Sequence, residues 1–244
     1  MINIGNNIRE MRIKKNMTQQ ELGDKLYVSD KTISSWESSR TEPDINILSD
    51  VAKALDCTFL SLVFDSKNNN TELEFKIKAS EREQDRVLNL IKNNSLLLKD
   101  EDQEAIYYKT NYRDMINEWL RIRKEDNNYV LNYKRKEDNI VKEYNVTIDN
   151  VNNLKTILKF LDLKETSIVS KHRVSYLYKD KYEFSFDDVD NLGTYIEIEL
   201  KKYEYDFDKE LDLLMNLINE LNIDINKIEL KRYPELIELN KESN

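Results

Sequence analysis

The spacing of apolar residues changes character about a quarter of the way along this chain of 244 residues. Up to about residue 64 the apolar positions recur at helical intervals, which predicts an all-helical segment. Beyond that point, short stretches alternate apolar and polar residues with a period of two, as in strands that bury one face. The polar stretch 66–70 contains no aliphatic residue and is the predicted linker between the two parts.

The part that follows the linker is predicted to hold a large antiparallel sheet with a few helices. Helical periodicity predicts helices over Glu81–Asn93, Val151–Leu161 and Phe207–Leu221. Because many short strands are joined by few turn glycines, we expect a closed or nearly closed sheet. The predicted strands are Glu72–Lys78, Glu104–Tyr108, Trp119–Arg123, Tyr129–Lys134, Val141–Ile148, Ser167–Tyr178, Lys181–Phe186 and Thr194–Tyr203.

Three scarce residue types exclude several kinds of chemistry. The chain has one cysteine, one histidine and three glycines, so it can form neither an internal disulfide nor a Cys/His zinc site. Three scattered glycines cannot form a Walker loop or a dinucleotide-binding fingerprint. No apolar run approaches 18 residues and no signal peptide opens the chain, so we expect a cytoplasmic protein that does not enter a membrane.

The net charge adds a constraint on possible partners. Lys plus Arg is 38 and Asp plus Glu is 47, which makes the formal charge −9. A globally acidic chain binds nucleic acid or phosphate only through a local basic patch. Residues 1–64 contain 8 basic and 9 acidic residues and are therefore the less acidic part.

A helix start signal lies inside the N-terminal segment. Thr18 and Glu21 form a capping box, in which Thr18 caps a helix and Glu21 bonds back to the cap amide. That helix ends near Leu26, and Ser29 caps the next helix. The two-residue connection between them sets the helices at a steep angle, which predicts a helix-turn-helix.

The stretch Thr18–Glu37 closely resembles the helix-turn-helix of the Cro/repressor type. Ile33 and Trp36 are its inward-facing residues. One departure is Ser39, because the family usually has a glycine where the chain turns off the second helix. The resemblance implies a DNA-binding domain over residues 1–65, and it continues through Pro43, Ile47, Leu48, Val51, Leu55 and Leu60.

The start of the second helix of such a pair enters the major groove of DNA. We expect Lys31 to donate to guanine, and the two helix N-termini to bind phosphates. Because the segment is nearly neutral, we expect a homodimer to be needed to hold DNA. The alternative is a helix-turn-helix used only for dimerisation or protein contact. The candidate DNA-binding residues are Asp30, Lys31, Thr32, Ser34 and Ser35 for bases and Gln19 and Ser29 for phosphates.

Four predicted strands carry clustered charges at two-residue spacing, which places each cluster on one face of its strand. Clustered carboxylates repel one another without a cation among them, and clustered cations repel without an anion. A metal-bound polyphosphate in one tunnel would satisfy both groups, whereas the alternative is a solvated sheet face. The clusters are Glu72, Glu74, Lys76 and Lys78; Arg121 and Arg123; Lys171 and Arg173; and Glu197, Glu199 and Lys201.

These strands resemble the CYTH superfamily, the triphosphate tunnel enzymes, over about residues 71–237. Glu72-x-Glu74-x-Lys76 matches the opening signature, Leu120–Arg123 the paired-arginine strand, and Phe186–Glu199 the closing motif. The class IV adenylyl cyclase branch is the most similar, partly through Arg232–Leu236. The resemblance implies an α+β protein, in which an all-α domain precedes an antiparallel β tunnel barrel with flanking helices over residues 71–244.

The resemblance also implies the site residues. Glu72, Glu74 and Glu199 would bind one metal ion, and Asp187, Glu197 and Glu199 a second. The implied cofactor is Mg²⁺ or Mn²⁺, and the implied partner is a triphosphate compound such as ATP or thiamine triphosphate. The cations that would hold its phosphates are Lys76, Arg121, Arg123, Lys134, Lys171 and Arg173.

Three functions stay open at this point. The first is an enzyme, either a nucleotide cyclase or a triphosphatase, joined to a DNA-binding domain. The second is a transcriptional regulator whose CYTH domain senses a triphosphate or a related anion without converting it. Departures from the family pattern at Ala105, Lys109, Val141 and Asn145 keep this second reading open. The third is a DNA-binding module with a purely structural barrel, which the intact acidic positions oppose.

Overall fold

The computed structural model describes residues 4–63, 73–111, 115, 118–125, 128–137 and 140–242. They form two compact units, the first from residues 1–73 and 203–228 and the second from residues 74–202 and 229–244. The predicted linker 66–70 lies outside the described residues, and the predicted domains 1–65 and 71–244 stay a prediction. Within the described part of the chain, no helix is both long and apolar enough to cross a membrane.

The helices are α1 (Ile4–Lys14), α2 (Gln19–Leu26), α3 (Asp30–Glu37), α4 (Ile45–Ala54), α5 (Phe59–Val63), α6 (Glu81–Ile91), α7 (Val151–Phe160), α8 (Phe207–Glu220) and α9 (Tyr233–Glu242). The strands are β1 (Glu74–Lys78), β2 (Ser95–Lys109), β3 (Glu118–Glu125), β4 (Asn128–Glu137), β5 (Ile140–Ile148), β6 (Lys164–Tyr178), β7 (Tyr182–Val189), β8 (Gly193–Leu200) and β9 (Ile228–Glu229). The sequence pattern missed α9, β9 and the first nine residues of β2, where three consecutive leucines hide the alternation.

The capping box predicted at the start of α2 is confirmed. The Thr18 hydroxyl accepts a hydrogen bond from the Glu21 amide at 3.1 Å, and the Glu21 carboxylate accepts one from the Thr18 amide at 2.7 Å. The Ser29 hydroxyl caps α3 by accepting from the Thr32 amide at 3.1 Å. These bonds satisfy amides that lack a partner within the helix, so α2 and α3 begin where the sequence predicts.

The core of the first unit joins the N-terminal helices to α8. Leu22, Ile33 and Trp36 of the helix-turn-helix are buried, as are Leu48, Val51 and Leu55 of the following helical region. On α8 the buried residues are Phe207, Leu211, Leu214, Leu217 and Ile218, and α5 contacts this helix. The Ser49 hydroxyl also donates to the Asn226 side chain at 3.0 Å. The long amphipathic helix predicted over 207–221 therefore buries its apolar face in the unit that carries the helix-turn-helix.

The second unit is built on one nine-stranded sheet in the order β5-β4-β3-β2-β6-β7-β8-β1-β9. The pairs from β5 through to β1 are antiparallel, which confirms the predicted fold class. The expected closure into a barrel is wrong for the described residues, because the end strands β5 and β9 do not pair there. β9 has only two residues, so it offers few free backbone groups to a further strand at that edge.

The two faces of this sheet differ in chemistry. On one face, Ile106, Tyr108 and Ile122 pack against Leu158 of α7. At one end of the other face, Tyr233 of α9 is buried in a cluster with Val169, Val189, Leu192 and Tyr195. The remainder of that second face carries many charged side chains together with neutral polar ones.

Candidate functional site

The register of the sheet places the predicted charged residues on a single face. Residues directly opposite in an antiparallel pair point to the same side, and the side alternates along each strand. Ten of the eleven predicted metal and phosphate residues share one face by this rule, which we call the ionic face. Glu72 lies outside the described residues. The ten are Glu74, Lys76, Arg121, Arg123, Lys134, Lys171, Arg173, Asp187, Glu197 and Glu199.

Asp187 is the centre of the most buried cluster on the ionic face. Its carboxylate is fully buried and accepts two hydrogen bonds of 2.6 Å from Arg173 and one of 2.7 Å from Lys171. The Tyr233 hydroxyl donates to the same carboxylate at 2.9 Å. Burial alone would raise the pKa of Asp187, but its bonds to Arg173 and Lys171 outweigh burial and lower that pKa. In this structure Asp187 therefore holds two cations in place.

Three glutamates of β1 and β8 lie on the ionic face beside this cluster. Glu74 lies opposite Glu199, and the next pair on that face is Lys76 and Glu197. Protein atoms crowd the Glu74 carboxyl, although solvent still reaches its side chain. This desolvation, followed by the charges of Glu197 and Glu199, raises the pKa of Glu74 to about 7.

Such a set of oxygen ligands fits a hard divalent cation, which would relieve the repulsion among the carboxylates. In the described part of the chain, however, no three His, Cys, Asp or Glu side chains lie in an arrangement that could hold a metal ion. Glu197 also pairs with Arg173, so one of the proposed ligands is engaged with a cation. The metal assignments of Glu72, Glu74, Asp187, Glu197 and Glu199 stay predictions.

Lys76 is held by the C-terminal segment of the second unit. Its ammonium group donates to the backbone carbonyls of Glu229, at 3.3 Å, and Lys231. It also lies 5.3 Å from the centre of the Tyr233 ring, while Lys171 lies 5.1 Å from the same ring. Burial lowers the pKa values of both lysines. One aromatic side chain thus lies within cation–π range of two proposed phosphate ligands.

Neutral and acidic side chains orient Arg121 and Lys134 at the other end of the ionic face. Arg121 donates to the Asn132 side chain at 2.9 Å and to the Tyr107 hydroxyl at 3.0 Å. Asn132 is fully buried and donates in turn to Glu143 at 2.8 Å. Lys134 forms an ion pair of 2.9 Å with the same Glu143. This chain of bonds fixes the guanidinium of Arg121, which is the preorganisation that an anion site requires.

Sequence reasoning missed three of the residues that shape this face. Tyr233 belongs to the matched motif near the C-terminus, but nothing in its spacing showed that it would reach Asp187. Tyr107 and Asn132 are uncharged, so a search for clustered charges passes over them. Their common signal is register, since Tyr107, Arg121 and Asn132 lie opposite one another on three adjacent strands.

The candidate DNA-contacting residues lie at the start of α3. Ser29, Asp30 and Lys31 are exposed, whereas Thr32, Ser34 and Ser35 are half-buried. The Ser35 hydroxyl is hydrogen-bonded to that of Thr41 at 2.9 Å. Gln19 differs from the expectation of a free phosphate ligand, because its amide donates to Glu37 at 2.8 Å. Glu37 is also bound by Arg12, so this network fixes α2 and α3 to α1.

The fold and the ionic face define an antiparallel-sheet protein with an N-terminal helix-turn-helix. The chain matches the model of the CYTH domain over residues 70–231 and that of a helix-turn-helix over residues 8–62. The protein belongs to the CYTH family and carries an N-terminal helix-turn-helix domain, which confirms both resemblances. Membership of this family implies dependence on a divalent metal ion.

Relatives match each of the two parts. MJ0240 of Methanocaldococcus jannaschii, provisionally named an adenylate cyclase, is 36% identical over 68% of this chain and 97% of its own length. The solved structure of PH1819 from Pyrococcus horikoshii is 30% identical with a TM-score of 0.57, covering 70% of this chain and 99% of that one. The transcriptional activator BcrR of Enterococcus faecalis is 35% identical over 27% of this chain and 30% of its own length.

Proposed function

We propose that this protein binds a triphosphate compound with Mg²⁺ or Mn²⁺ on the ionic face and converts it, either as a nucleotide cyclase or as a triphosphatase. The supporting observation is the placement of six cations and four carboxylates on one sheet face by the strand register. Phosphate oxygens would neutralise the cations, and a metal ion would neutralise the carboxylates.

In this proposal the side chains have three roles: to bind phosphate, to bind metal and to orient the cations. Lys76, Arg121, Arg123, Lys134, Lys171 and Arg173 bind phosphate oxygens and stabilise the charge that develops there. Glu72, Glu74, Glu197 and Glu199 hold the metal ions, with Asp187 as a further candidate. The bound metal supplies Lewis-acid polarisation of the reacting phosphoryl group. Asp187 orients Lys171 and Arg173, because its carboxylate accepts hydrogen bonds from both. Tyr233 donates to the same carboxylate and helps to fix it.

The test is incubation of the purified chain with Mn²⁺ or Mg²⁺ and each of ATP, GTP, thiamine triphosphate and tripolyphosphate. A cyclase releases pyrophosphate and a cyclic nucleotide from ATP or GTP, whereas a triphosphatase releases inorganic phosphate. Binding of a triphosphate without product identifies a sensor. No binding of any of the four compounds in the presence of metal contradicts the proposal.

A variant at Glu199 tests the metal assignment. Glu199→Ala removes a carboxylate assigned to both metals, so metal-dependent turnover or binding should fall by roughly 10²-fold or more. Glu104→Ala is the matched control, because Glu104 is exposed on the opposite face of the sheet. Equal activity in folded samples of both variants would refute the assignment.

A non-catalytic sensor is the second candidate, and one observation favours it. Asn132 and Asn145 lie opposite each other where β4 and β5 pair, and both bond to Glu143. Glu143 also pairs with Lys134, so this end of the ionic face is already neutralised by protein groups. A site with fewer cations available for the transition state binds a triphosphate more readily than it converts one.

We further propose that α3 reads DNA and that the protein acts as a homodimer. The exposed Ser29, Asp30 and Lys31 at the start of this helix support the first point. The variant Lys31→Ala should bind DNA duplexes selected from a random pool roughly tenfold more weakly than the native chain does. Lys53→Ala, an exposed charge on α4, should leave affinity within about twofold. Light scattering that shows a strict monomer, with and without selected DNA, would contradict the dimer.

A further inference from the structure

Three glutamates form a row across the ionic face at its β7 side. Glu183 of β7 lies opposite Glu199 of β8, which lies opposite Glu74 of β1. Two of them, Glu74 and Glu199, are proposed metal ligands. Glu183 belongs to no motif identified in the sequence, and its side chain is 14% exposed.

A lysine already bridges two members of this row. The ammonium group of Lys201 lies 3.0 Å from the Glu199 carboxylate and 3.4 Å from that of Glu183. The Lys201 amide donates to the Lys181 carbonyl at 2.9 Å, which ties the backbone of Lys201 to the start of β7. The cation therefore sits beside a carboxylate that the proposed function assigns to a metal ion.

We propose that Lys201 is a built-in competitor of the divalent cation, because its charge opposes metal binding at Glu199 and its pairing shifts toward Glu183 when the metal binds. This inference rests on the proposed function, because it assumes that Glu199 binds metal. The ammonium group occupies one acceptor site of the Glu199 carboxylate, and its positive charge repels a divalent cation at the same carboxylate. Lys201 lowers the affinity of Glu199 for the metal, and Glu183 is the carboxylate with which Lys201 pairs when the metal is bound.

The position of Lys201 suits an exchange of this kind. Its side chain is 43% exposed, so it reaches the carboxylates from the solvent side and can withdraw without opening the core. An ion pair with this exposure is weak, whereas a carboxylate bound to a divalent cation is held more strongly. Lys201 therefore tunes the metal affinity without abolishing binding.

The test measures Mn²⁺ binding to the full chain by calorimetry, with and without tripolyphosphate. Lys201→Met should bind Mn²⁺ about fivefold more tightly than the native chain, the upper range for a partly exposed ion pair. Lys201→Arg keeps the charge and should stay within about twofold of the native affinity. Lys124→Met, which removes an exposed charge from the opposite face, is the matched control and should not change the affinity.

Variants at Glu183 distinguish competition between Lys201 and the metal from direct coordination of the metal by Glu183. Glu183→Gln alone should weaken Mn²⁺ binding about twofold to threefold, because the Lys201 charge is then concentrated on Glu199. In the Lys201→Met background, Glu183→Gln should weaken Mn²⁺ binding by less than about 1.5-fold, the through-space effect of one lost charge. An equal or larger loss in that background would overturn the proposal, since Glu183 would then act on the metal independently of Lys201.

Two outcomes distinguish this inference from the function on which it rests. If the native chain and all variants fail to bind Mn²⁺ with or without tripolyphosphate, the proposed function is wrong and the inference falls with it. If the native chain binds Mn²⁺ and Lys201→Met binds it with the same affinity, the inference alone is overturned.

Discussion

Asp187 pairs with two cations of the ionic face. It is fully buried and pairs with Lys171 and Arg173, which are themselves mostly buried. Asp187→Asn removes the negative charge that Lys171 and Arg173 share, although Arg173 keeps its ion pair with Glu197. We expect the variant to lose about 3 kcal/mol of unfolding free energy in urea titrations, as for a buried ion pair that loses one member.

Asp188, the residue that follows Asp187, provides a control for this prediction. Asp188 is exposed on the opposite face of the sheet, so Asp188→Asn should change the unfolding free energy by less than about 0.5 kcal/mol. Tripolyphosphate should restore part of the stability of Asp187→Asn, because phosphate oxygens can pair with the released cations. Equal stability of the two variants would show that Asp187 does not anchor the cluster.

Glu74 predicts a dependence of stability on pH in the absence of divalent metal. The pKa of its carboxyl is raised from an ordinary 4.5 to about 7 by desolvation from the protein atoms crowded around it and by the charges of Glu197 and Glu199. Between these values the folded state binds more protons than the unfolded state, so stability falls as pH rises and the loss is complete above about pH 7. Because solvent reaches Glu74, we expect a fall of at most about 1 kcal/mol.

Urea titrations in a chelator at pH 5 and pH 8 measure this effect. Glu74→Gln should reduce the difference between the two pH values, whereas Glu104→Gln on the opposite face should preserve it. Metal affinity should rise through the same pH range, because protons and the metal ion compete for the Glu74 carboxylate. An unchanged pH dependence in Glu74→Gln would assign it to other groups.

At the scale of elements, the helix-turn-helix depends on the close approach of α2 to the turn that follows it. A Cβ atom on Gly23 would lie 2.6 Å from the Val28 carbonyl oxygen, which is too close for any real contact. Gly23→Ala should therefore force α2 away from the turn and destabilise the protein by about 1–3 kcal/mol in thermal unfolding. Gln20→Ala, on an exposed position of the same helix, should have little effect.

Left-handed residues without a glycine flank α3 on both sides. The C-cap Tyr27 of α2 adopts a left-handed conformation, with φ 57°, and Ser39 after α3 does the same, with φ 55°. These two turns define both ends of α3 without a glycine. Ser39 thus adopts the left-handed conformation at the position where the family usually has a glycine.

At the scale of the whole molecule, the chain passes between the two units next to proposed metal ligands. Glu74 directly follows Leu73 of the first unit, and the chain returns to that unit at Tyr203, four residues after Glu199. If metal and triphosphate shift Glu74 or Glu199 on binding, the shift also moves the adjoining segments. These segments continue into the unit with the helix-turn-helix. We predict that triphosphate with Mg²⁺ shifts DNA affinity by about 5- to 150-fold, the usual size of such coupling.

Titration of selected DNA with and without a saturating non-hydrolysable triphosphate and Mg²⁺ measures this coupling. Thermodynamic linkage requires DNA to change triphosphate affinity by the same factor, so the reciprocal titration is an internal control. Salt must be the same in both, because affinity for DNA depends steeply on ionic strength. Identical dissociation constants in the two titrations would mean that the units act independently.

The sequence by itself determined the features that depend on local spacing. The capping box at Thr18, the inward Ile33 and Trp36, and the alternating charges of β1 and β8 follow from helical and strand periods, and the structure has them. Alternation also predicted which side chains share a face of each strand. Such patterns are local, because a period of two or 3.6 residues is set by the backbone itself.

Only the tertiary structure decided which strands are neighbours and what meets across them. No spacing shows that Tyr233 reaches Asp187, that Lys201 lies between Glu183 and Glu199, or that α8 joins the core of the N-terminal helices. The sequence pattern also did not show that β5 and β9 stay unpaired in the described residues, because closure requires hydrogen bonds between strands that are far apart in the chain. Contacts between residues far apart in the chain depend on packing of the whole fold, which local periods do not encode.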